Sequence, residues 1–576
     1  MQRTIIICLS LLLASQLCVG QRKAKQDTTY NQKVVLEREF SPVFKDASRI
    51  EALPTINEPK REKQPIQYQF SRLDAAIPLQ WKIVAPEKKM DRYNYSSQTG
   101  FLNIGVGLPT NSLIYGGLEL LNDEANQLEL SIDHRAISGN RKSSLSDAKQ
   151  NIYNANTKIG LNYSRPFEFF ALNSTISYAH SEFNYFLQNQ TIGPMPFLPL
   201  NTTIDNSTSN QRNNQLSLKT EVISTADGDI SYKGSIAYSY FEKKNGTFTS
   251  ISGPKEHCIT IEGSVKKQND EKKSVALDFS LINFVYNTNA EDPITEFKAE
   301  NYGRLTMTPH YNLTETNFEF NAGIRTEFGF KKGVDLKIAP AIDATWEFSP
   351  KFFAIANIGG GTTINSFAQS DLNYRYLHPA IRLKDTFAPI DGVLKLKTNI
   401  FPRLEVELST GFKSSSEYYF ISQYYVAHLF PISKTNTKRY SIGISAKYDI
   451  KDLGDVQLSL QKHQYRLAEF YQNVNDQNIA WGKPDFEMNL TTNLKINEKI
   501  TAHLDYQLAS GRYALYNNET VTMKPINQLD LGGRYRINKR WSAFAQMNNI
   551  LFQSYDLWYG MPAQNFNFVV GAGFSY

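Results

Sequence analysis

Cysteine is scarce in this chain, and long apolar runs and one-sided charge are missing from nearly all of it. Of three cysteines, Cys8 and Cys18 fall within the first twenty residues. Only Cys258 remains beyond them, so no intramolecular disulfide staples the rest. The formal charge of +6 is small for 576 residues, and no long basic run occurs. That excludes the electrostatic footprint of a nucleic-acid binder. After the N-terminus no stretch approaches the ~18 apolar residues of a membrane-crossing helix. Strands remain an open route, because a membrane strand shows lipid only every second residue. Catalytic signatures are missing as well: there is no CxxC, HExxH or GxSxG. The eight histidines are scattered without metal spacing. His257 and Cys258 are neighbours, but adjacent strand residues point to opposite faces. Gly359-Gly360-Gly361-Thr362-Thr363 lacks the lysine of a phosphate loop and reads as a place of strand curvature. No enzyme activity, metal or cofactor is expected.

What is present begins at the N-terminus. Arg3 precedes the almost continuously apolar Thr4–Leu13, and Cys18-Val19-Gly20 follows. This reads as a secretory signal peptide over 1–20, cut near Gly20–Gln21. Leu17 stands where a lipid-attachment site at Cys18 would want a small residue, which argues against a lipoprotein. Residues 21–97 carry Lys, Glu and Pro in clusters, as in Glu58-Pro59-Lys60-Arg61-Glu62-Lys63-Gln64-Pro65. They read as an extended periplasmic extension, with short strands near Lys33–Glu37 and Leu79–Val84. A tether is favoured over a docking strand for a partner.

From about Thr99 to the end, period-two alternation takes over. Leu128, Leu130, Ile132 and His134 oppose Gln127, Glu129, Ser131 and Asp133. Phe318, Phe320, Ile324, Phe328 and Phe330 oppose Glu319, Arg325 and Glu327. Phe486, Met488, Leu490 and Leu494 oppose Asp485, Glu487 and Lys495. Many such strands run ten residues or more, against about five or six in soluble sheets. About 22 can be placed, with 20 as the alternative count, and every second connection is short, as at Asn312–Glu315, Phe401–Pro402 and Asn538–Lys539. The others are mostly long: Ala136–Gln150, Glu182–Gln211, Ser366–Asp391 and Ser414–Thr437 among them. Short periplasmic turns and long outer loops define an outer-membrane barrel of even strand number. Pro109–Thr110 and Lys331–Gly333 are short outer exceptions. The predicted fold is therefore an all-β transmembrane antiparallel barrel over 98–576 in a Gram-negative outer membrane.

The C-terminal third carries a further texture. Asp485–Ile496, the turn Asn497-Glu498-Lys499, Ile500–Gln507, Gln528–Trp541 and Asn548-Asn549-Ile550-Leu551 resemble the barrel of TonB-dependent receptors. The closing strand does too, with Phe566, Phe568, Val570, Ala572, Phe574 and Tyr576 on one face. In that family a terminal aromatic strand is read by the barrel-insertion machinery. Those receptors carry a folded plug domain and a TonB-gripped coupling box before the barrel. Neither is recognisable here, so the chain looks like a plugless relative of the Bacteroidetes type, and Val34–Val43 is similar to the N-terminal stretch of such barrels. Energy-driven import is not carried over.

Candidate functional residues follow from the two faces. Glu319, Arg325, Glu327, Asp485, Glu487, Lys495, Asp530, Arg534 and Arg536 are expected to face the lumen, with mixed signs and no strong ion selectivity. Three outer segments are unusually apolar. One holds Met195, Phe197 and Leu198, the next Tyr374 and Tyr376, and the third Tyr418, Tyr419 and Tyr424. Such segments bind something or fold inward, and here they are expected to narrow the lumen in place of a plug. Two roles stand about even: a transport-type barrel, or a structural or accessory subunit of a larger outer-membrane assembly. Expected partners are outer-membrane lipid and lipopolysaccharide, the barrel-insertion machinery, and a partner membrane protein or surface lipoprotein. Nucleic acid is not among them.

Overall fold

The computed structural model describes residues 99–576 except 124–125, 186–190, 193–201, 204–209, 226–227, 247–252, 288–298, 332, 380, 426–427, 469–478 and 517–518. The readings made for 1–20, 21–97 and Val34–Val43 lie outside the described residues, as do Met195, Phe197 and Leu198.

One antiparallel sheet of 22 strands makes up the body. Its first third is β1 (Gly100–Leu108), β2 (Thr110–Asn122), β3 (Gln127–Ser143), β4 (Ser146–Pro166), β5 (Phe170–Asn184), β6 (Asn210–Ser224) and β7 (Ile230–Lys243). Then come β8 (Lys255–Gln268), β9 (Lys273–Asn287), β10 (Tyr302–Thr314), β11 (Phe318–Phe330), β12 (Val334–Ser349), β13 (Phe352–Thr363) and β14 (Thr386–Phe401). The last are β15 (Leu404–Tyr425), β16 (His428–Ile450), β17 (Gly454–Leu467), β18 (Phe486–Lys495), β19 (Ile500–Ser510), β20 (Ile526–Arg536), β21 (Trp541–Asn548) and β22 (Asn567–Ser575). Each pairs with its sequence neighbours, and β1 pairs with β22 from Phe101↔Ser575 to Leu108↔Phe568. Gly100 N donates to the Tyr576 carbonyl at 3.1 Å, and Tyr576 N donates back at 3.0 Å. The ring is closed and leaves no open sheet edge around the barrel body.

Closure follows from the solvent. In hydrocarbon an unpaired backbone N–H or C=O costs several kcal/mol, so strands cross only as a ring. Side-chain exposure confirms the inverted pattern. Val106 is 62% exposed and Ile442 65%, whereas Asn103 is 3% and Asp530 6%. The exposed rows are the apolar ones: Ile104, Ile324, Leu394, Leu408 and Val570 all project outward. Because β22 is in register with β1, Phe568, Val570 and Phe574 share the outward face of Leu108, Val106 and Leu102.

Two expected outer loops turn out to be strand. Of Ala136–Gln150, all but the turn at Ser144–Leu145 is paired in β3 and β4. Of Ser414–Thr437, nearly all belongs to the β15–β16 hairpin, whose arms run 22 and 23 residues. A bilayer needs only about 9–11 tilted residues, so this hairpin extends well past the membrane. It looked like loop because its apolar residues do not alternate, Tyr418, Tyr419 and Phe420 being consecutive, and a ladder standing in water needs no apolar face.

The glycine run behaves as the curvature device expected of it. Register shifts between Gly359 and Gly361 where β13 meets β14, which is a β-bulge. Gly361 has φ +129, and a Cβ there would lie 2.7 Å from Arg325 Nη1 and 2.8 Å from Glu327 Oε1. Gly361→Ala therefore forces a non-glycine residue into left-handed backbone against two charged groups. The expected cost is about 1–3 kcal/mol, read as a lower urea midpoint for loss of heat-modifiable mobility. An unchanged midpoint counts against this seat.

Candidate functional site: a cap across the outer mouth

The segment 364–385 leaves β13 at the long-connection end and returns to β14. Ser366 starts a short helix, α1 (Phe367–Asn373), by accepting from Gln369 N at 3.2 Å. The side chains that receive it come from distant strands. Phe367 packs with Phe241, Phe284 and Tyr286 of β7 and β9, and its N–H donates to Glu256 Oε2 of β8 at 2.6 Å. Lys243 Nζ of β7 lies 3.5 Å from Asp371 Oδ1. Arg375 then reaches β4, donating from Nη1 to Asn154 Oδ1 at 2.7 Å and from Nη2 to Asn156 Oδ1 at 3.0 Å. Strands β4 and β13 are nine apart in a ring of 22, so a segment rooted on one and bonded to the other spans the interior. It forms a strap across the barrel's mouth.

Apolar packing fills the space around it. Tyr376, Leu377, Ile381 and Leu383 are buried with Ile152, Phe183, Tyr419, Trp558 and Met561. The return leg is fixed by a box of charge and aromatic faces. Arg382 donates to Asp385 Oδ1 at 2.9 Å, to the Tyr302 hydroxyl at 2.9 Å and to the Tyr286 hydroxyl at 3.0 Å. Asp385 Oδ2 also accepts from Tyr302 at 2.9 Å and from Arg304 at 3.1 Å. Elsewhere in the mouth, buried Arg512 donates to the carbonyls of Asp556, Lys524 and Leu557, which ties down the β21–β22 connection.

The expected site residues do not converge on one track. Arg325 donates to the Gly360 carbonyl at 3.0 Å, and Glu327 Oε1 accepts from Thr362 N at 2.9 Å, so this pair buttresses the bulge. Buried Asp530 accepts from Asn549 N at 2.7 Å and Gln528 Nε2 at 2.8 Å. Arg534 donates to Asn103 and Ser542, both at 2.9 Å, beside the seam. Glu487 lies 3.7 Å from His463, and Asp485, just outside β18, lies 3.9 Å from Lys462. Glu319, Lys495 and Arg536 are solvent-exposed at the short-turn end, and Arg536 donates to the Glu498 carbonyl. Tyr374 and Tyr376 lie in the strap, Tyr418 and Tyr419 on the wall beside it, and Tyr424 on β15. On the exterior, Phe566 stacks on Phe552 at 4.6 Å, and Phe574, beside Tyr576, lies 4.7 Å from Trp541. Sequence reasoning missed Arg375, Arg382 and Asp385, whose partners lie on other strands. Among the described residues no group of three metal-ligating side chains forms.

The chain matches no family model and no curated protein by sequence. By structure it is similar to a ferric enterobactin receptor of Pseudomonas aeruginosa solved with enterobactin, at 11% identity and TM-score 0.60, covering 83% of this chain and 81% of that one. It is similar to the ferric-catecholate import receptor Fiu of Escherichia coli K12, at 9% identity and TM-score 0.57, covering 83% and 82%. The FrpB iron transporter of Neisseria meningitidis aligns at 8% identity and TM-score 0.61, covering 83% and 81%. At these identities the likeness is one of fold: a closed 22-strand antiparallel barrel like the barrels of these receptors, an outer-membrane architecture.

The strap has a pH dependence built in. Burial, helped by the Lys243 charge, pushes His378 down to about 3. Burial likewise pushes the Tyr376 hydroxyl up to about 12. An exposed histidine titrates near 6.5. Between that value and 3 the docked strap binds fewer protons than the released one, so its stability rises with pH and falls on acidification. From pH 7 to pH 5 the docked strap is expected to lose about 2 kcal/mol, at ~1.4 kcal/mol per unit below 6.5. Amide protection factors of 374–383, corrected for intrinsic exchange at each pH, should fall accordingly on acidification, and His378→Gln should flatten the profile. A pH-independent protection factor in the unaltered protein contradicts this.

Proposed function

We propose that this protein is a solute conduit of the outer membrane whose resting lumen is closed at the outer mouth by its own strap. The observation that carries the reading is the bonding of Arg375 to Asn154 and Asn156 on the far wall. A strap of that reach occupies the route a solute would take, and passage requires its displacement. Fold likeness to import receptors supports a transport role, with no substrate named. The similarity of Val34–Val43 to Bacteroidetes barrels supports a plugless relative of that type, in which the strap does a plug's work. The N-terminal signal, export and assembly by the insertion machinery belong to the same reading, as does contact with lipopolysaccharide.

Conductance in planar bilayers tests it. The unaltered protein is expected to show little steady current. Arg375→Ala combined with Asn154→Ala should raise open probability several-fold. A large steady conductance from the unaltered barrel would reject the closed-lumen reading.

One observation favours a second role. The long β15–β16 hairpin stands beyond the bilayer and offers an edge to a surface lipoprotein, as an accessory subunit of a larger assembly would. Under mild detergent, a stoichiometric partner lost on shortening this hairpin supports that role. A barrel that purifies alone and passes solutes in liposomes supports the conduit.

A further inference from the structure

Among the described residues, two cations in the outer lumen have no carboxylate within ion-pair distance. Lys483, in the segment entering β18, is 4% exposed. Its Nζ donates only to the Tyr374 hydroxyl, at 3.3 Å, and sits over the rings of Tyr374 and Tyr418 at 5.5 and 5.7 Å. Arg439 lies on the inward face of β16, and its Nε is buried without an acceptor. Among the described residues, no carboxylate oxygen comes within 4.0 Å of either. Lys483 is fully buried and Arg439 half-buried; buried charge is normally paired, because desolvation costs several kcal/mol per ion.

The surroundings sharpen the anomaly. Arg439 stands directly opposite Lys413 in the β15–β16 register, a like-charge pairing that destabilises a sheet. Lys413 is already engaged by Asp391 at 2.6 Å. On the other side Arg439 faces Tyr465, one step along the same face from His463. His463 is 5% exposed and neither ring nitrogen is hydrogen-bonded. Trp481, 4% exposed, packs edge-on against Phe420 and leaves Nε1 without an acceptor. The Tyr465 hydroxyl is the common electrostatic neighbour of Lys483, Arg439, Tyr418 and Glu487. Glu487 is the one carboxylate in that group, and it sides with His463. Two cations with no carboxylate in ion-pair reach, the idle Trp481 N–H and a His463 ring that makes no hydrogen bond and only approaches Glu487, walled by aromatic faces, lack one component: an acceptor bearing negative charge.

We propose that this wall, formed by Arg439, Lys483, His463, Trp481, Tyr418 and the strap residue Tyr374, binds an organic anion: a carboxylate carried on a flat, aromatic body. The carboxylate takes the charge of Arg439 and Lys483 and the donors of His463 and Trp481. The flat body lies against the tyrosine faces. Tyr374 belongs to the strap, so an anion that draws Lys483 away from the Tyr374 hydroxyl loosens the strap from below. The proposal deepens the conduit reading and rests on it for its physiological sense. Its test is binding in detergent, so a failed titration and a failed conductance measurement are separate results.

The experiment is calorimetric titration of the detergent-solubilised full chain with benzoate, benzyl alcohol and inorganic phosphate. Benzoate is expected to bind saturably, at least tenfold more tightly than benzyl alcohol, which keeps the ring without the charge, and more tightly than phosphate, which lacks the ring. Arg439→Gln and Lys483→Gln should each weaken benzoate at least tenfold. Arg439→Lys, which keeps the charge, and Arg466→Gln, which removes a cation lying over Tyr440, should stay within a few-fold of the unaltered chain. Heat-modifiable mobility establishes that each variant is a folded barrel. Equal binding of benzoate and benzyl alcohol, no saturable benzoate binding, or undiminished binding by folded Arg439→Gln and Lys483→Gln would overturn the proposal.

Discussion

Everything in this structure descends from the backbone's need for hydrogen bonds where no water is available. Strand after strand pairs with its neighbour, and the β1–β22 seam removes the last edge. Leaving that seam open would expose a row of amide groups to hydrocarbon at several kcal/mol each. Once the ring is closed, each strand must turn one row of side chains to lipid and the other to the middle. The apolar outside and the polar, partly buried inside are two consequences of one constraint.

Closure creates a second problem, a lumen wide enough to leak. In the proposed conduit it is met at the outer mouth by main chain drawn in from the wall. The strap is not held like an ordinary core. Part of its seat is aromatic and aliphatic, around Phe183, Leu377 and Met561. Much of the rest is amide and charge, including the buried Lys243–Asp371 contact and side-chain atoms such as Ser370 Oγ and Asn373 Oδ1 that find no partner. Each such orphan costs about 1–3 kcal/mol. On the proposed conduit reading, a seat with that many polar liabilities is firm enough to close and cheap enough to leave. The proposed anion wall adjoins it, linked through Tyr374 and Lys483.

How much of this could be read beforehand divides along the same physical line. The outward rows were legible because lipid enforces strict alternation: Phe318 to Phe330 and Phe566 to Tyr576 spell their faces in sequence. All 22 strands were placed, and the glycine run was read as curvature. The outer hairpins were misread where the ladder stands in water and nothing enforces strict alternation, so Ala136–Gln150 and Ser414–Thr437 looked like loop. The strap's inward course was expected from its apolar content, but its anchors were invisible. Arg375 and Asn154 are 221 residues apart, and Lys483 and Tyr374 are 109 apart. Nothing local in the chain marks such pairs. Charged residues chosen by face alone scattered for the same reason: a face fixes direction, while a site needs neighbours from other strands.

The most direct test of the central constraint is collision accessibility of spin labels placed singly along residues 439–445 of β16, in a Cys258→Ser background in lipid bilayers. The account gives oxygen-accessibility maxima at Tyr440, Ile442 and Ile444, with a water-soluble relaxation agent favouring the positions between. Uniform access of the aqueous agent to all seven positions, or maxima shifted by one residue, would contradict it.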